Sequence, residues 1–283
     1  MLVQGVIVAA LVMVRAFSEE TVPNRSRRLD WIGQLCVSLV LWALSYALIE
    51  AGNAGWGAPR VLAAFGLAVV LGGVCALTEA RSAAPVFPRQ LFARPAFVAC
   101  VAAGLVLSLG AYGILFVESI YLQSVRHLSA IATGAMIVPF TMLPAVTTRA
   151  LDRVRADMHF KPRLVIGQIL AVAGTATLAM SVWHPALGVI LLGLALLGVA
   201  LGYITPAMTT GVLTASPQSM SGLASGTLNA GRQVGGAIGV ALMGTLMQMH
   251  GERGMVVSFT VAMGLFAVIA LWTNRAIPEP PSR

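Results

Sequence analysis

Long runs without a charged residue recur along this chain, and they limit what it can fold into more than any other feature. Trp31 to Ile49, Pro95 to Val117 and Leu164 to Trp183 each run for about 20 residues. That is the length an α-helix needs to cross the hydrocarbon core of a bilayer. Hydrophobic residues form 58% of the sequence and charged residues 10%, against about 25% charged in a soluble domain. The sequence therefore predicts an all-α polytopic membrane protein.

The apolar runs and the polar segments between them predict about nine transmembrane helices, the first of them incomplete. The predicted divisions are a partial helix at residues 1–17, a loop at 18–30, a helix pair with its loops at 31–94, six helices at 95–274 and a polar tail at 275–283.

Lysine and arginine concentrate in the loops around Arg25, Arg89 and Arg155, whereas the alternate loops carry few. Because cytoplasmic loops carry an excess of these residues, we predict a multi-pass protein of the plasma (inner) membrane. The basic loops and the C-terminus would face the cytoplasm, and Gly55 and the turn at Gly251 would face outward. The net charge of +8 is spread over short loops rather than over one exposed face, so no nucleic-acid partner is expected.

The stretch from Ser216 to Met249 predicts one long helix. Ser216 and Pro217 are suitable as its N-cap and first helical residue, since proline has no N–H to leave unpaired. Small residues recur at every fourth position along it and would let another helix backbone come close. These predicted packing residues are Gly222, Gly226, Gly231, Gly235 and Gly239.

Arg232 lies near the middle of that predicted helix, with Asn229 and Gln233 on either side. A charge at the centre of a membrane helix costs about 2.5 to 3.5 kcal/mol on insertion scales, so it needs a partner or a wet cavity. Two interpretations stay open. Arg232 is either a structural residue held by carbonyls of neighbouring helices, or it lines the path of a polar substrate or a proton.

Glu118 is an acidic residue within the six helices at 95–274. It either takes up a proton or attracts a cationic substrate, or it lies beside Tyr121 near the outer interface, where a charge costs less. Gln168, Tyr203 and Thr205 are further polar residues on neighbouring helices that we consider for a cavity. We find no metal-binding His-Glu pair, nucleophile elbow or phosphate loop, so we expect neither an enzyme nor a metal or cofactor site.

Several short motifs, taken in order, resemble the fourteen-helix drug:proton antiporters of the major facilitator superfamily, the EmrB/QacA type. The most specific motif runs from Gly222 to Gly226, continues through Asn229, and ends with Arg232 to Gly239; it is similar to the penultimate helix of that family. The supporting segments are Tyr46 to Glu50 with Gly55-Trp56, Arg81 to Phe92, and Tyr121 to Gln123 followed by Leu128 to Ala130 and Gly134.

The resemblance implies that residues 1–17 end an N-terminal half, that 31–94 hold two linker helices, and that 95–274 form a six-helix C-terminal half. It implies export of small, lipophilic or drug-like molecules by proton antiport, with the proton gradient as the energy source and with multidrug resistance as the outcome. The implied partners are the small-molecule substrate and the lipid bilayer. The residues we place on the substrate or proton pathway are Arg232, Asn229, Gln233 and Glu118. Asp152 and Arg153 match the family's cytoplasmic gating loop without its glycines.

The similarity begins inside the family's sixth helix, which leaves a second prediction open. On that alternative, the chain is a truncated half-transporter or a partner subunit that does not transport by itself. Its partner would then be a missing N-terminal half or a second membrane subunit.

Overall fold

The computed structural model describes residues 31–81, 89–155, 157–250 and 252–278. The predicted divisions at 1–17 and 18–30, the turn at Gly251 and residues 279–283 of the predicted tail lie outside the described residues. The last described helix runs two residues past the predicted end at 274, so the tail begins slightly later than the apolar run indicates.

All secondary-structure elements of the described residues are helices, as the charge-free runs predict. Its helices are α1 (Trp31–Ala54), α2 (Pro59–Arg81), the short α3 (Arg89–Phe92), α4 (Pro95–Ile120), α5 (Ala130–Val154), α6 (Phe160–Ser181), α7 (Leu187–Thr214), α8 (Ser221–His250) and α9 (Glu252–Ala276). A π-helical turn at Tyr121–Val125 extends α4, and a 3₁₀ turn at Gln218–Met220 precedes α8.

Six of the described helices are long and apolar enough to cross a membrane. They are Pro59–Leu77, Pro95–Val125, Ala130–Val154, Phe160–Ser181, Leu187–Thr214 and Arg253–Ala276. Ser38–Ala51 is a shorter apolar segment of α1. Because α8 contains serine, asparagine, arginine and many glycines, it is not among the six. The chain is therefore a multi-pass membrane protein, and the count of about nine crossings stays a prediction.

Helix α4 lies at the centre of the bundle and packs against α7, α8 and α9, while α6 lies against α7 and α9 and α5 lies against α7. The hairpin of α1 and α2 joins this bundle where α1 packs on α8. At the turn of that hairpin, the Trp56 indole donates to the Thr245 hydroxyl over 2.6 Å. Glu50 and Arg60 form an ion pair of 2.7 Å across the same turn.

The registers of the helices around α4 follow from their closest approaches. A Cβ at Gly235 would collide with the Leu105 carbonyl, and a Cβ at Gly239 with the Leu109 carbonyl, so α8 runs parallel to α4. On the other side, the Phe266 ring of α9 fills the space that a side chain at Gly110 would occupy. Glycine is needed at these positions because the neighbouring backbone or ring leaves no room for a Cβ atom.

The predicted N-cap of α8 is wrong. This helix begins at Ser221, after the 3₁₀ turn, and Pro217 precedes that turn in an extended conformation. The Ser216 hydroxyl instead donates to the Val212 carbonyl over 2.6 Å. Ser216 therefore satisfies one of the free carbonyls at the end of α7. It caps the end of that helix and not the start of α8, which the Ser-Pro pair had indicated.

One end of the bundle gathers arginine side chains that hold its loops. Arg94 donates to the Ala215 carbonyl over 2.9 Å, which ties the start of α4 to the end of α7. Arg163 donates to the Arg155 carbonyl over 2.6 Å and so closes the loop between α5 and α6. At the opposite end, Arg126 donates to the Pro185 carbonyl.

Candidate functional site

A cavity of about 300 Å³ lies between α4, α5, α7 and α8. Its walls are mainly apolar, with four hydroxyl groups and one guanidinium among them, a mixture typical of small-molecule sites. The lining residues are Leu107, Ser108, Ala111, Tyr112, Leu115, Phe140, Thr141, Pro144, Leu201, Thr205 and Arg232.

Helix α8 brings Arg232 to this cavity along the surface of α4. The Arg232 Cγ lies 3.3 Å from the point where a Cβ at Gly104 would stand, and the Leu228 side chain lies 2.7 Å from the same point. The missing side chain at Gly104 therefore makes the room that the stem of Arg232 occupies. Because α4 supports that stem, the guanidinium group is directed into the cavity.

The charge of Arg232 is not offset within the part of the chain that the structure describes. Its Nε atom is buried and has no hydrogen-bond partner there, and no aspartate or glutamate among the described residues lines the cavity. Arginine has only donors and stays protonated in proteins, so this group requires an acceptor. The interpretation that neighbouring carbonyls hold Arg232 gains no support from the surroundings of Nε.

Asn229 and Gln233 do not share the cavity with Arg232. Both side chains are exposed, and neither is a lining residue. Thr205 lines the cavity, as one of the polar residues considered from the sequence, but Gln168 is buried elsewhere and donates to the Thr273 hydroxyl over 3.3 Å. Tyr203, the third of them, is not a lining residue, and its Cβ lies 2.8 Å from the point where a Cβ at Gly167 of α6 would stand.

Glu118 lies at the other end of α4 and is fully buried, with both carboxylate oxygens lacking a partner among the described residues. The side chain is therefore enclosed by protein, and a position near the outer interface stays a prediction. At about 1.5 Å per residue, Glu118 lies roughly 21 Å along the helix axis from the level of Gly104 and Arg232. It is seven residues beyond Ala111 and so shares the cavity-facing side of α4. The structure thus places the two ionisable groups at separate depths.

The predicted packing glycines separate into two groups. Gly235 and Gly239 meet α4 carbonyls, and a Cβ at Gly231 would lie 3.3 Å from the Val101 side chain. A Cβ at Gly222 or Gly226 would meet no atom within 4 Å. Within the described part of the chain no helix packs on these two glycines, so their packing role stays a prediction.

The predicted gating residues lie at the end of α5, next to an arginine that the sequence analysis missed. Asp152 accepts from Arg163 Nη1 over 3.3 Å, whereas Arg153 is exposed. Arg163 is itself buried in the first turn of α6 and also holds the Arg155 carbonyl. The sequence signal that could have identified Arg163 is the group of basic residues at the end of this loop.

The wall of the cavity on α5 also escaped the sequence analysis. Phe140, Thr141 and Pro144 form it, and Ser108 and Tyr112 face it from α4. Ser108, Tyr112 and Leu115 recur at helical spacing, so they share a face. Spacing alone does not distinguish a face towards lipid from a face towards a cavity.

The chain is similar in sequence to known membrane proteins of drug resistance and efflux. A family model described as "Major Facilitator Superfamily" matches residues 1–240. The methylenomycin A resistance protein of Streptomyces coelicolor is 30% identical over 263 residues, which cover 90% of this chain and 55% of that protein.

Two relatives from Mycobacterium tuberculosis show the same relation. The multidrug resistance protein Stp is 28% identical over 96% of this chain and 48% of its own length. The drug efflux pump JefA is 32% identical over 86% of this chain and 47% of its own length. The chain thus spans about half the length of the curated relatives it matches.

Proposed function

The chain belongs to the Major Facilitator Superfamily, and on that premise we propose that it exports small drug-like molecules across the membrane. The observation that carries the proposal is the cavity between α4, α5, α7 and α8, where Arg232 lies with its Nε buried and without a described partner. Ionisable residues inside membrane bundles mark substrate or ion paths by default. The names of the relatives, which denote drug resistance and efflux, support the same function.

The substrates we propose are molecules that leave the bilayer or the cytoplasm and contact this cavity as one wall of their path. Substrate sites in such transporters lie near the bilayer midplane between repeated units. Leu107, Phe140 and Leu201 offer an apolar surface to the body of such a molecule, and the hydroxyl groups offer hydrogen bonds. The relatives' names do not favour the alternative of a subunit that does not transport by itself. The need for a second half or subunit stays a prediction.

We further propose that export is driven by proton antiport and that Glu118 is the proton-binding group of this bundle. A carboxylate there would lose its water and gain no described partner, which costs several kcal/mol. Among the charged groups towards that end of the bundle, Arg126 is directed to the Pro185 carbonyl and Arg253 is exposed. Neither pairs with Glu118. The role of Glu118 would be to hold a proton in this conformation and to release it when the bundle opens to the other side.

The orientation we propose places the end with Arg94, Arg155 and Arg163, and the C-terminus, in the cytoplasm, because cytoplasmic loops are rich in arginine. The turn between α1 and α2 would then face outward. An impermeant thiol reagent should label Gly57→Cys in intact cells, where Gly57 has no atom near it to be disturbed. Labelling only after the membrane is opened would reverse this orientation.

The proposed export is tested by expressing the 283-residue chain in a bacterium without its own major efflux pumps. Energy-dependent efflux of a neutral fluorescent lipophile should exceed that of cells with an empty vector. Ala111→Phe fills the cavity and should lower the efflux to that background, whereas Ala63→Phe, at an exposed position of α2, should not. Efflux at the empty-vector level in the unmodified chain would favour the alternative that this chain does not transport by itself, and equal loss in both variants would contradict the role of the cavity.

The proton-binding role of Glu118 is tested in the same cells with a substitution that keeps its shape. Glu118→Gln should remove the part of the efflux that an uncoupler inhibits. Glu50→Gln is the matched control, since Glu50 is paired with Arg60 at the hairpin turn. If Glu118→Gln leaves uncoupler-sensitive efflux intact, another group binds the proton.

A further inference from the structure

The cavity beside Arg232 differs from a simple apolar pocket in its charge balance. Among the described residues, Arg232 is the one charged group that lines it, and no acidic side chain is present in its walls. The other polar groups there are hydroxyls, among them Ser108, Tyr112 and Thr205, which are able to donate as well as accept. The described surroundings therefore supply donors and a positive charge without a counter-charge.

The stem of the Arg232 side chain is enclosed where α8 meets α4. Gly104 leaves room for the arginine stem, and Met208 and Leu228 close on the same point, at 3.2 Å and 2.7 Å from the position of a Cβ at Gly104. A Cβ at Gly235, one turn beyond Arg232 on α8, would collide with the Leu105 carbonyl, so α8 and α4 cannot separate without losing their contact. The Arg232 stem is thus held before a ligand arrives, which lowers the cost of ordering this side chain on binding.

From this geometry we propose that the cavity selects amphiphilic anions: molecules with an apolar body and one carboxylate or comparable anionic group that pairs with Arg232. This inference rests on the proposed export function and names the class of its substrate. An unpaired cation in an apolar surrounding is offset best by an anion with oxygen acceptors, which the planar guanidinium binds through two parallel hydrogen bonds. A lipophilic cation of the same shape would face a like charge with no described acidic group to offset it.

The walls match the remainder of such a molecule. Leu107, Ala111 and Phe140 surround the space next to the guanidinium with apolar surface, and a volume of about 300 Å³ admits a fused aromatic ring system with a small polar group. The hydroxyl of Thr141 lies on the opposite wall but donates to the Val138 carbonyl over 3.0 Å, so Arg232 supplies the charge-based discrimination.

The test uses three ligands of one shape and different charge. Naphthalene-2-carboxylate, the neutral naphthalene-2-carboxamide and the 2-naphthylmethylammonium ion are measured by equilibrium dialysis against the purified chain in lipid nanodiscs, with protein-free nanodiscs as the blank. The carboxylate should bind at least tenfold more tightly than the ammonium ion. Equal or tighter binding of the ammonium ion would overturn the proposal.

Arg232→Gln should lower the affinity for the carboxylate by about 10-fold to 150-fold, the range expected for a hydrogen bond to a charged group. The affinity for the carboxamide should change by less than about threefold. Arg149→Gln removes the same charge from an exposed position of α5 and should change neither. Unchanged carboxylate binding in Arg232→Gln would overturn the proposal. If that variant does not fold, Arg232→Lys keeps the charge but not the paired geometry, and it should retain the preference for the carboxylate over the ammonium ion at reduced affinity.

Ala111→Phe separates failure of this inference from failure of the proposed function. If all three ligands bind with similar affinity and Ala111→Phe removes all of them, the cavity is a binding site but does not select by charge. If Ala111→Phe changes none of them, the cavity is not the site, and both the selectivity and the cavity's place in export are refuted. Loss of carboxylate binding in Ala111→Phe, together with the charge preference of the unmodified chain, supports both.

Discussion

The two halves of α8 carry glycines at the same spacing but meet different surroundings. In the first turns, a Cβ at Gly222 or Gly226 would have no atom within 4 Å of it, whereas Gly235 and Gly239 face carbonyls of α4 directly. Arg232 lies between the two groups and reaches the cavity at the point where α8 comes onto α4. The difference shows that a glycine repeat permits another helix to pack closely. It does not show that a helix lies there.

The same contrast explains why Arg232 behaves differently from the polar residues beside it. Where no helix packs on α8, the Asn229 side chain is exposed, and its polar group has a low free-energy cost. Where α8 is packed on α4, the arginine stem is enclosed and its Nε loses water without gaining a described partner. A charged group in that situation is expensive, and this cost is the reason why we propose a ligand or a path at Arg232.

The largest effect is expected from adding a side chain where α8 is packed. Gly235→Leu should destabilise the fold by about 3 kcal/mol or more, because the obstacle is the Leu105 carbonyl and a backbone cannot turn away as a side chain does. Gly226→Leu, at the open end, should not lower the stability by more than about 0.5 kcal/mol. Thermal unfolding in detergent measures both. Similar losses in the two variants would remove the distinction between the halves of α8.

The next largest effect should come from Arg232 and should fall on transport rather than on folding. Arg232→Ala removes a charge whose insertion costs about 2.5 to 3.5 kcal/mol, so the amount of protein in the membrane should not decrease. Efflux of an amphiphilic anion should drop at least tenfold because the cavity loses the charged group that would pair with the anion. Quantitative immunoblotting measures the amount of the variant in the membrane, and efflux assays on the same cells measure its transport. Abundance that falls in step with efflux would return Arg232 to a structural role.

A smaller effect is expected from the neighbours of Arg232 in the sequence. Asn229→Ala and Gln233→Ala each remove an exposed amide that does not line the cavity. Binding of naphthalene-2-carboxylate should therefore change by less than about threefold, and stability by less than about 0.5 kcal/mol. A tenfold loss of binding in either variant would extend the site beyond the described cavity.

The smallest structural change is the addition of a single methyl group on α8. Gly226→Ala should raise stability by about 0.5 to 1 kcal/mol, since alanine has the better helix propensity and finds open space. Gly231→Ala should gain less, because its Cβ would lie 3.3 Å from Val101 Cγ1 and the two must adjust. Chemical unfolding of matched samples resolves the difference. A larger gain at position 231 than at 226 would place the boundary between the open and packed halves elsewhere.

Much of this protein was predictable from its sequence because the signals are local. Charge-free runs such as Pro95 to Val117 predict membrane helices from length and apolarity alone. A single arginine in a long glycine-rich helix stands out in the same way, since its cost in a membrane does not depend on the fold. The order of the short motifs also indicated a resemblance to the drug exporters of the superfamily, which the matching family model and relatives confirm.

The tertiary structure decided which of these residues meet. Glycine spacing is the same at Gly226 and Gly235, yet only Gly235 has the α4 backbone beside it, because contacts depend on how two helices cross. The complete burial of Glu118 was hidden for the same reason, because burial depends on how the helices pack. The cavity needs side chains from α4, α5, α7 and α8 at one depth. Helical periodicity gives each helix a face but not a partner, so only the packed bundle could bring Ser108, Thr205 and Arg232 to one space.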